Sequence, residues 1–190
     1  MKVDIWRGWL DTLSVESADD AEHRRANKLA DPLTQRRFLA GRGSLRLVLG
    51  HMLGVPACDV PLRYLPSGRP LLLDGPSFSV THAGGLMLVA VAPAGEIGVD
   101  IEHLRPVPGA DRLSRRVLGR PLGGRDFLQA WVAHEAAVKA RGGRLLDSLV
   151  PAPPASHRIL RLRPSSGYVG ALALTPFNGR VRVSYRPIQP

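Results

Sequence analysis

Apolar residues recur along the chain in two periods, and the alternation between them outlines the fold. Lys2 to Leu10 alternates apolar and polar positions with a period of two, which predicts an opening strand. Ala18 to Leu29 reads as a polar helix stopped by Asp31-Pro32, because a proline pushes the residue before it out of the helical region. From Leu33 to Leu53, Phe38, Leu45, Leu49 and Leu53 recur at helical spacing until Gly54 and Pro56 end the run. Five short β-type runs follow: Leu62 to Leu65, Pro70 to Leu73, Phe78 to His82, Leu86 to Ala92 and Ile97 to Glu102. Ser67-Gly68, Asp74-Gly75-Pro76, Gly84-Gly85 and Pro93-Ala94-Gly95 separate them, so hairpins are the expected connections.

The progression then repeats. Asp126 to Arg141 predicts a helix closed by Gly142-Gly143, and Pro151 to Pro154 is a stiff linker. Arg158 to Arg163, Tyr168 to Leu174 and Arg180 to Arg186 are strand candidates. Both parts run through a helix into an antiparallel set. The expected class is therefore α+β, a pseudodimer of two similar halves, each with a helix packed on a small antiparallel sheet. The division falls near residue 98, giving an N-terminal half 1–98 and a C-terminal half 99–190.

Composition narrows the class of protein. The chain has 190 residues, 44% of them hydrophobic, which is enough for a folded core. The longest apolar stretch, Leu86 to Ala94, is far shorter than the roughly 20 residues that cross a bilayer. Asp4 and Asp11 bracket the first apolar run, and no small-residue cleavage site follows it, so the expected location is cytoplasmic, away from membranes. Cys58 is the single cysteine and reads as a small buried hydrophobe. The formal charge of +10 is uneven: residues 1–98 carry 11 basic against 10 acidic side chains, residues 99–190 carry 15 against 6. Only Lys2, Lys28 and Lys139 are lysines, and arginine favours bidentate grips on phosphate. Arg105 to Arg125, with six arginines and one acid, is the most biased segment and reads as a solvated loop-helix face.

Against that charge, "GVDIEH" (98–103) places two acids in an apolar strand. In a strand Val99 and Ile101 point to one face, Asp100 and Glu102 to the other, with their Cα atoms about 6.6 Å apart. Two carboxylates that close disfavour joint ionisation unless a cation intervenes. A hard divalent ion such as Mg²⁺ meets the need with oxygen ligands. A solvent-facing acid pair on an amphipathic strand is the better explanation of the two residues taken alone. Helix 126–141 adds Phe127, Trp131, Glu135 and Lys139 at successive i,i+4 positions, which stacks Glu135 and Lys139 on one face. A surface Glu-Lys pair of that kind contributes only about 0.2–0.5 kcal/mol. The alternative makes Glu135 a third carboxylate and Lys139 a phosphate-neutralising cation.

The order Gly68-Arg69-Pro70, "FSVTH" (78–82), "GVDIE" (98–102) and "WVAHEAAVK" (131–139) resembles the 4′-phosphopantetheinyl transferases. Within them it is most similar to the larger, pseudodimeric, surfactin-synthetase-activating type. The resemblance covers roughly residues 20–150. It implies that Gly68, Arg69, Thr81 and His82 hold the 3′-phosphate of coenzyme A, with Arg25, Arg37 and Arg42 assisting at the nucleotide. It implies that Asp100, Glu102 and Glu135 bind Mg²⁺ against the diphosphate, with Lys139 beside it. The implied reaction moves 4′-phosphopantetheine from coenzyme A to a serine of an apo acyl or peptidyl carrier protein and releases 3′,5′-ADP. Glu135 is favoured as the base for the serine proton, with Glu102 as the alternative. The implied catalytic pair is Glu135 and Lys139, in a monomer whose basic 105–125 face meets the acidic helix of the carrier.

The chain departs from the family pattern in places. His134 stands where lysine usually precedes the helix glutamate, Ser79 where asparagine is common, and Thr81-His82-Ala83 where Ser-His-Ser is usual. The segment from Glu102 to Trp131 is short. These departures define a second reading, a degenerate homologue that binds coenzyme A or a carrier without turnover. A basic nucleic-acid-binding protein is the third, but it leaves Asp100, Glu102 and Glu135 unexplained.

Overall fold

The computed structural model describes residues 1–66, 68–142, 158–175 and 179–189. The expected linker 151–154, Gly143 and His157 lie outside them. Local signals set the first elements. Strand β1 (Lys2–Trp9) leads to helix α1 (Asp20–Ala26), which opens with a reciprocal cap: Asp19 Oδ1 accepts the Glu22 N–H, and Glu22 Oε2 accepts the Asp19 N–H, both at 2.8 Å. This helix is shorter than the 18–29 expected. Its C-terminal end tightens into turns in which the N–H of Lys28 and of Leu29 each bond three residues back. Helix α2 (Pro32–Leu53) starts with the Asp31 cap and Pro32 at the first turn. It stops where Gly54 takes a left-handed conformation, φ 71°.

Strands β2 (Arg63–Tyr64) and β3 (Pro70–Leu71) form a short ribbon. Strands β4 (Ser77–Ala83) and β5 (Leu86–Ala92) form a hairpin through Gly84-Gly85, and β6 (Glu96–His103) follows a turn at Pro93 to Gly95. Helices α3 (Ala110–Leu118) and α4 (Gly124–Ala140), then β7 (Arg158–Leu162), β8 (Tyr168–Thr175) and β9 (Arg182–Pro187), complete the order. The 105–125 segment thus holds a defined helix, α3, which buries Ala110, Ser114 and Val117 while its arginines stay outside.

Beside the β2-β3 ribbon, the described residues form two larger sheets, β4-β5-β1-β9 and β6-β8-β7. The fold is α+β. Among the described residues every pairing is antiparallel except β1 with β9, which run parallel from Lys2↔Arg182 to Arg7↔Pro187. The last strand therefore leaves the second antiparallel set, where the sequence had placed it, and closes the first sheet.

Packing follows from strand alternation. Val3, Ile5, Leu86, Leu88 and Ala90 on one sheet meet Ile97, Val99, Ile101, Leu172 and Leu174 on the other. Met87, Val89 and Val91 on the opposite face of the first sheet pack under Ala40, Leu45, Val48 and Leu49 of α2. Val169, Ala171 and Ala173 pack under α4. The layers run helix, sheet, sheet, helix. Strand β6 is covered on both sides from Ile97 to Ile101, so Asp100 is buried and only the more open Glu102 keeps contact with solvent. Gly98 makes this approach achievable: a Cβ there would lie 1.9 Å from the Ala136 carbonyl oxygen and 2.6 Å from the Ala140 nitrogen.

Candidate active site

Strand β4 is the edge of the first sheet and β6 the edge of the second, and they meet without pairing in a ladder. Side chains join them instead. The Val99 N–H donates to Ser79 Oγ at 3.1 Å, and the Val99 carbonyl accepts from Lys139 Nζ at 3.1 Å. In an antiparallel strand the N–H and C=O of one residue point to the same edge, so these two groups face β4. Buried and unpaired, they would be costly. Two residues on, Thr81 Oγ1 donates to Asp100 Oδ1 at 3.0 Å, and Lys139 Nζ donates to the same oxygen at 2.7 Å.

A cleft of about 1490 Å³ opens over this seam. Its lining includes Arg37, Arg42, Gly68, Arg69, Thr81 and His82 from the first part of the chain. Asp100, Glu102, Glu135 and Lys139 line it from β6 and α4. Ten of the eleven residues that the sequence singles out share this one cleft. Arg25 is the exception and stands behind Gly68, its Nη2 3.0 Å from where a Cβ on that glycine would sit.

The basic side is held by aromatic faces. Arg42 stacks over Tyr64 at 4.8 Å and Phe38 at 5.2 Å, and Arg25 covers Phe38 at 5.7 Å. Tyr64 donates its hydroxyl to Glu22, which pairs with Arg46 at 3.0 Å. Both members of that pair are 4% exposed, and Arg46 also pairs with Asp19. Burial and the Glu22 bond push the Tyr64 hydroxyl up to about 12, so it stays a donor. Arg37 is bound through two 2.7 Å hydrogen bonds to Asp11. Arg69 reaches across to the end of α4, its Nη1 3.4 Å from a Cβ placed on Gly142.

His82 sits at the mouth with an edge in solvent. Desolvation of the rest of its ring, then the charges of Lys139, Arg37 and Arg42, hold it below its ordinary 6.5, against an opposing pull from Asp100. The carboxylate side is more enclosed. Asp100 and Glu135 are 9% and 5% exposed. Glu135 thus follows Phe127 and Trp131 into the interior and is no surface partner for Lys139. Glu102 is more open and lies 3.5 Å from Arg105.

Among the described residues, no three His, Cys, Asp or Glu side chains converge tightly enough to hold a metal by themselves. The donor set is nevertheless all carboxylate oxygen, the type that hard cations take. Mg²⁺ typically needs only one or two protein carboxylates when phosphate supplies the rest. Asp100 keeps Oδ2 without a hydrogen bond among the described residues. The residues present fit Mg²⁺ on these grounds.

Gly98 and Ser79 are parts of the site that sequence reasoning left without a role. An isolated glycine in an apolar strand signals close backbone approach, and that signal was legible. Ser79 acts across the seam, which no local pattern reports. His103 packs edge-on against Tyr168 at 5.1 Å.

No protein-family model matches the chain. The chain is 33% identical over 210 aligned positions to the 4′-phosphopantetheinyl transferase HetI of Nostoc sp., covering 93% of this chain and 89% of that one. It is 32% identical to slr0495 of Synechocystis sp., whose name assigns it provisionally to the same activity, over 68% of this chain and 60% of that one. A third relative, the uncharacterized protein YieE of Escherichia coli, is 37% identical over 46% of this chain and 35% of its own. A cleft with arginines on one wall and carboxylates with a lysine on the other has the chemistry to suit a phosphorylated ligand. The chain belongs to the 4′-phosphopantetheinyl transferases.

Proposed function

We propose that the chain transfers the 4′-phosphopantetheine of coenzyme A to a serine hydroxyl of an apo acyl or peptidyl carrier protein, with Mg²⁺, and releases 3′,5′-ADP. The observation that carries this reading is the single cleft that sets Arg42, Arg69 and His82 opposite Asp100, Glu102, Glu135 and Lys139. The serine oxygen forms a bond to the β-phosphorus, the bond from that phosphorus to the bridging oxygen breaks, and the electron pair leaves with 3′,5′-ADP. Such a transfer is mostly positioning and charge neutralisation.

The chain's residues divide that work. Arg69, His82 and Arg42, with Arg25 behind Gly68 and Arg37 alongside, bind the nucleotide phosphate. Lys139 neutralises the diphosphate, and Glu135 takes the serine proton, with Glu102 as the other candidate. Asp100, Glu102 and Glu135 would hold Mg²⁺, which supplies Lewis-acid stabilisation of the diphosphate when bound. The exposed arginines of α3, Arg112, Arg115 and Arg116, suit the acidic helix of a carrier. One chain supplies both walls, which supports a monomer of the larger two-half type. Among the described residues no helix is long and apolar enough to cross a membrane.

Incubation with coenzyme A, Mg²⁺ and several apo carriers, followed by intact-mass measurement, tests the reading. A phosphopantetheine adduct on a carrier is expected, lost on chelation and in Asp100→Ala. Retained coenzyme A binding without an adduct on any carrier would support the non-catalytic reading instead. Unchanged transfer by Asp100→Ala would refute the metal assignment.

A further inference from the structure

Thr81 occupies the place in the sequence from which the resemblance implies a contact to the 3′-phosphate. The structure gives its hydroxyl other work. A hydroxyl has one proton to donate, and a phosphate dianion offers only acceptors. Thr81 Oγ1 spends that proton on Asp100 Oδ1, at 3.0 Å in a buried contact. Lys139 Nζ reaches the same oxygen at 2.7 Å, and among the described residues Oδ2 accepts nothing. The pair of donors therefore fixes the carboxylate by one oxygen and turns the other toward the cleft. Ser79, two residues earlier on the same face of β4, ties down the Val99 N–H beside Asp100.

We propose that Thr81 is a positioning residue, acting on the reaction through Asp100 and not through the coenzyme's phosphate. Ser79 anchors the backbone from which Asp100 projects, and Thr81 sets the rotamer of its side chain. The inference rests on the metal assignment of the preceding section, and it concerns how the chain prepares one carboxylate for a hard cation. Outer partners that orient a metal-binding carboxylate typically alter metal affinity or activity by about 10–100-fold when removed.

The test is coenzyme A affinity by calorimetry, measured in chelator and again in Mg²⁺, for the parent, Thr81→Val and Thr81→Ser. For the parent, Mg²⁺ is expected to tighten binding. Thr81→Val should bind coenzyme A in chelator within about twofold of the parent but lose about tenfold or more of the Mg²⁺-dependent tightening, with Thr81→Ser restoring it. A Thr81→Val variant that weakens binding about tenfold in chelator and keeps the full Mg²⁺ effect makes Thr81 a phosphate ligand and overturns the inference. Absence of any Mg²⁺ effect in the parent overturns the metal assignment and this inference with it. Recovery by serine, which keeps the hydroxyl but removes a methyl group, separates a hydrogen-bond effect from a packing defect.

Discussion

Replacing Gly98 with alanine should disable the site without touching any side chain in it. The added Cβ would stand 1.9 Å from the Ala136 carbonyl oxygen. Carbon and oxygen approach no closer than about 3.3 Å even in favourable C–H···O contacts, so a gap of about 1.4 Å must open between β6 and α4. Both groups are backbone, and no rotamer change relieves the clash. Overpacking of this kind costs about 1–3 kcal/mol, and a backbone-on-backbone clash belongs at the upper end. For a chain of this size, about 3 kcal/mol corresponds to a fall of about 6–12 °C in Tm. Glu135 precedes Ala136 on the displaced segment, and Lys139 precedes Ala140. The lysine stem can bend to follow Asp100, but Glu135 is buried and moves with its helix. A misplacement of about 1 Å can cost about 100-fold in rate. Thermal unfolding followed by circular dichroism and the intact-mass transfer assay at a temperature where the variant is folded measure the two effects separately. A Gly98→Ala protein that melts within about 2 °C of the parent and transfers at the parental rate would refute the account of how α4 is seated.

Two further predictions concern the basic wall. Arg46→Ala leaves the Glu22 carboxylate buried without its cation and should cost about 3–5 kcal/mol in urea unfolding; a loss below about 1 kcal/mol would show that the pair does not hold α1 to α2. His82 titrates below 6.5 in the free protein, so a bound phosphate must raise its proton affinity. Coenzyme A binding should therefore take up a proton and weaken as pH rises through the window from the depressed value toward the raised, bound one. Calorimetry in two buffers of different ionisation enthalpy reads this uptake. An uptake unchanged in His82→Gln would assign it to another group.

How much of this was legible in the sequence depends on the range of the interaction. Strand β5 is read to the residue, because "LMLVAVA" is buried throughout and bounded by glycine and proline turns. Helix α2 is placed by the helical spacing of Phe38, Leu45, Leu49 and Leu53 and by its Gly54 stop, whereas Asp31-Pro32, read as the end of the preceding helix, caps and opens this one. The acids of "GVDIE" and the i,i+4 spacing of Glu135 and Lys139 pointed to a carboxylate wall only once the order of motifs resembled the transferases. What placed those acids was invisible locally. Asp100 is held by Thr81 and Lys139, 19 and 39 residues away, and Glu22 meets Tyr64 at a separation of 42. The solvated loop-helix face expected over 105–125 is present as α3 with its arginines outside, but six arginines mask the small buried positions Ala110, Ser114 and Val117 that seat it. The parallel return of β9 was hidden for a related reason: an alternating strand fits either sheet, and the partner is settled by the layers around it.

That return bears on how the protein is made. Asp4 pairs with Arg186 at 3.1 Å, and the Met1 ammonium donates to the Arg180 carbonyl at 2.8 Å, across a separation of 179 residues. At about 5–20 residues per second, the second edge of β1 waits on the order of ten to forty seconds on the ribosome before β9 exists to cover it. An open strand edge is a template for pairing with other chains. The strand that closes the sheet last thus defines a vulnerable interval in synthesis, during which chaperone capture competes with aggregation.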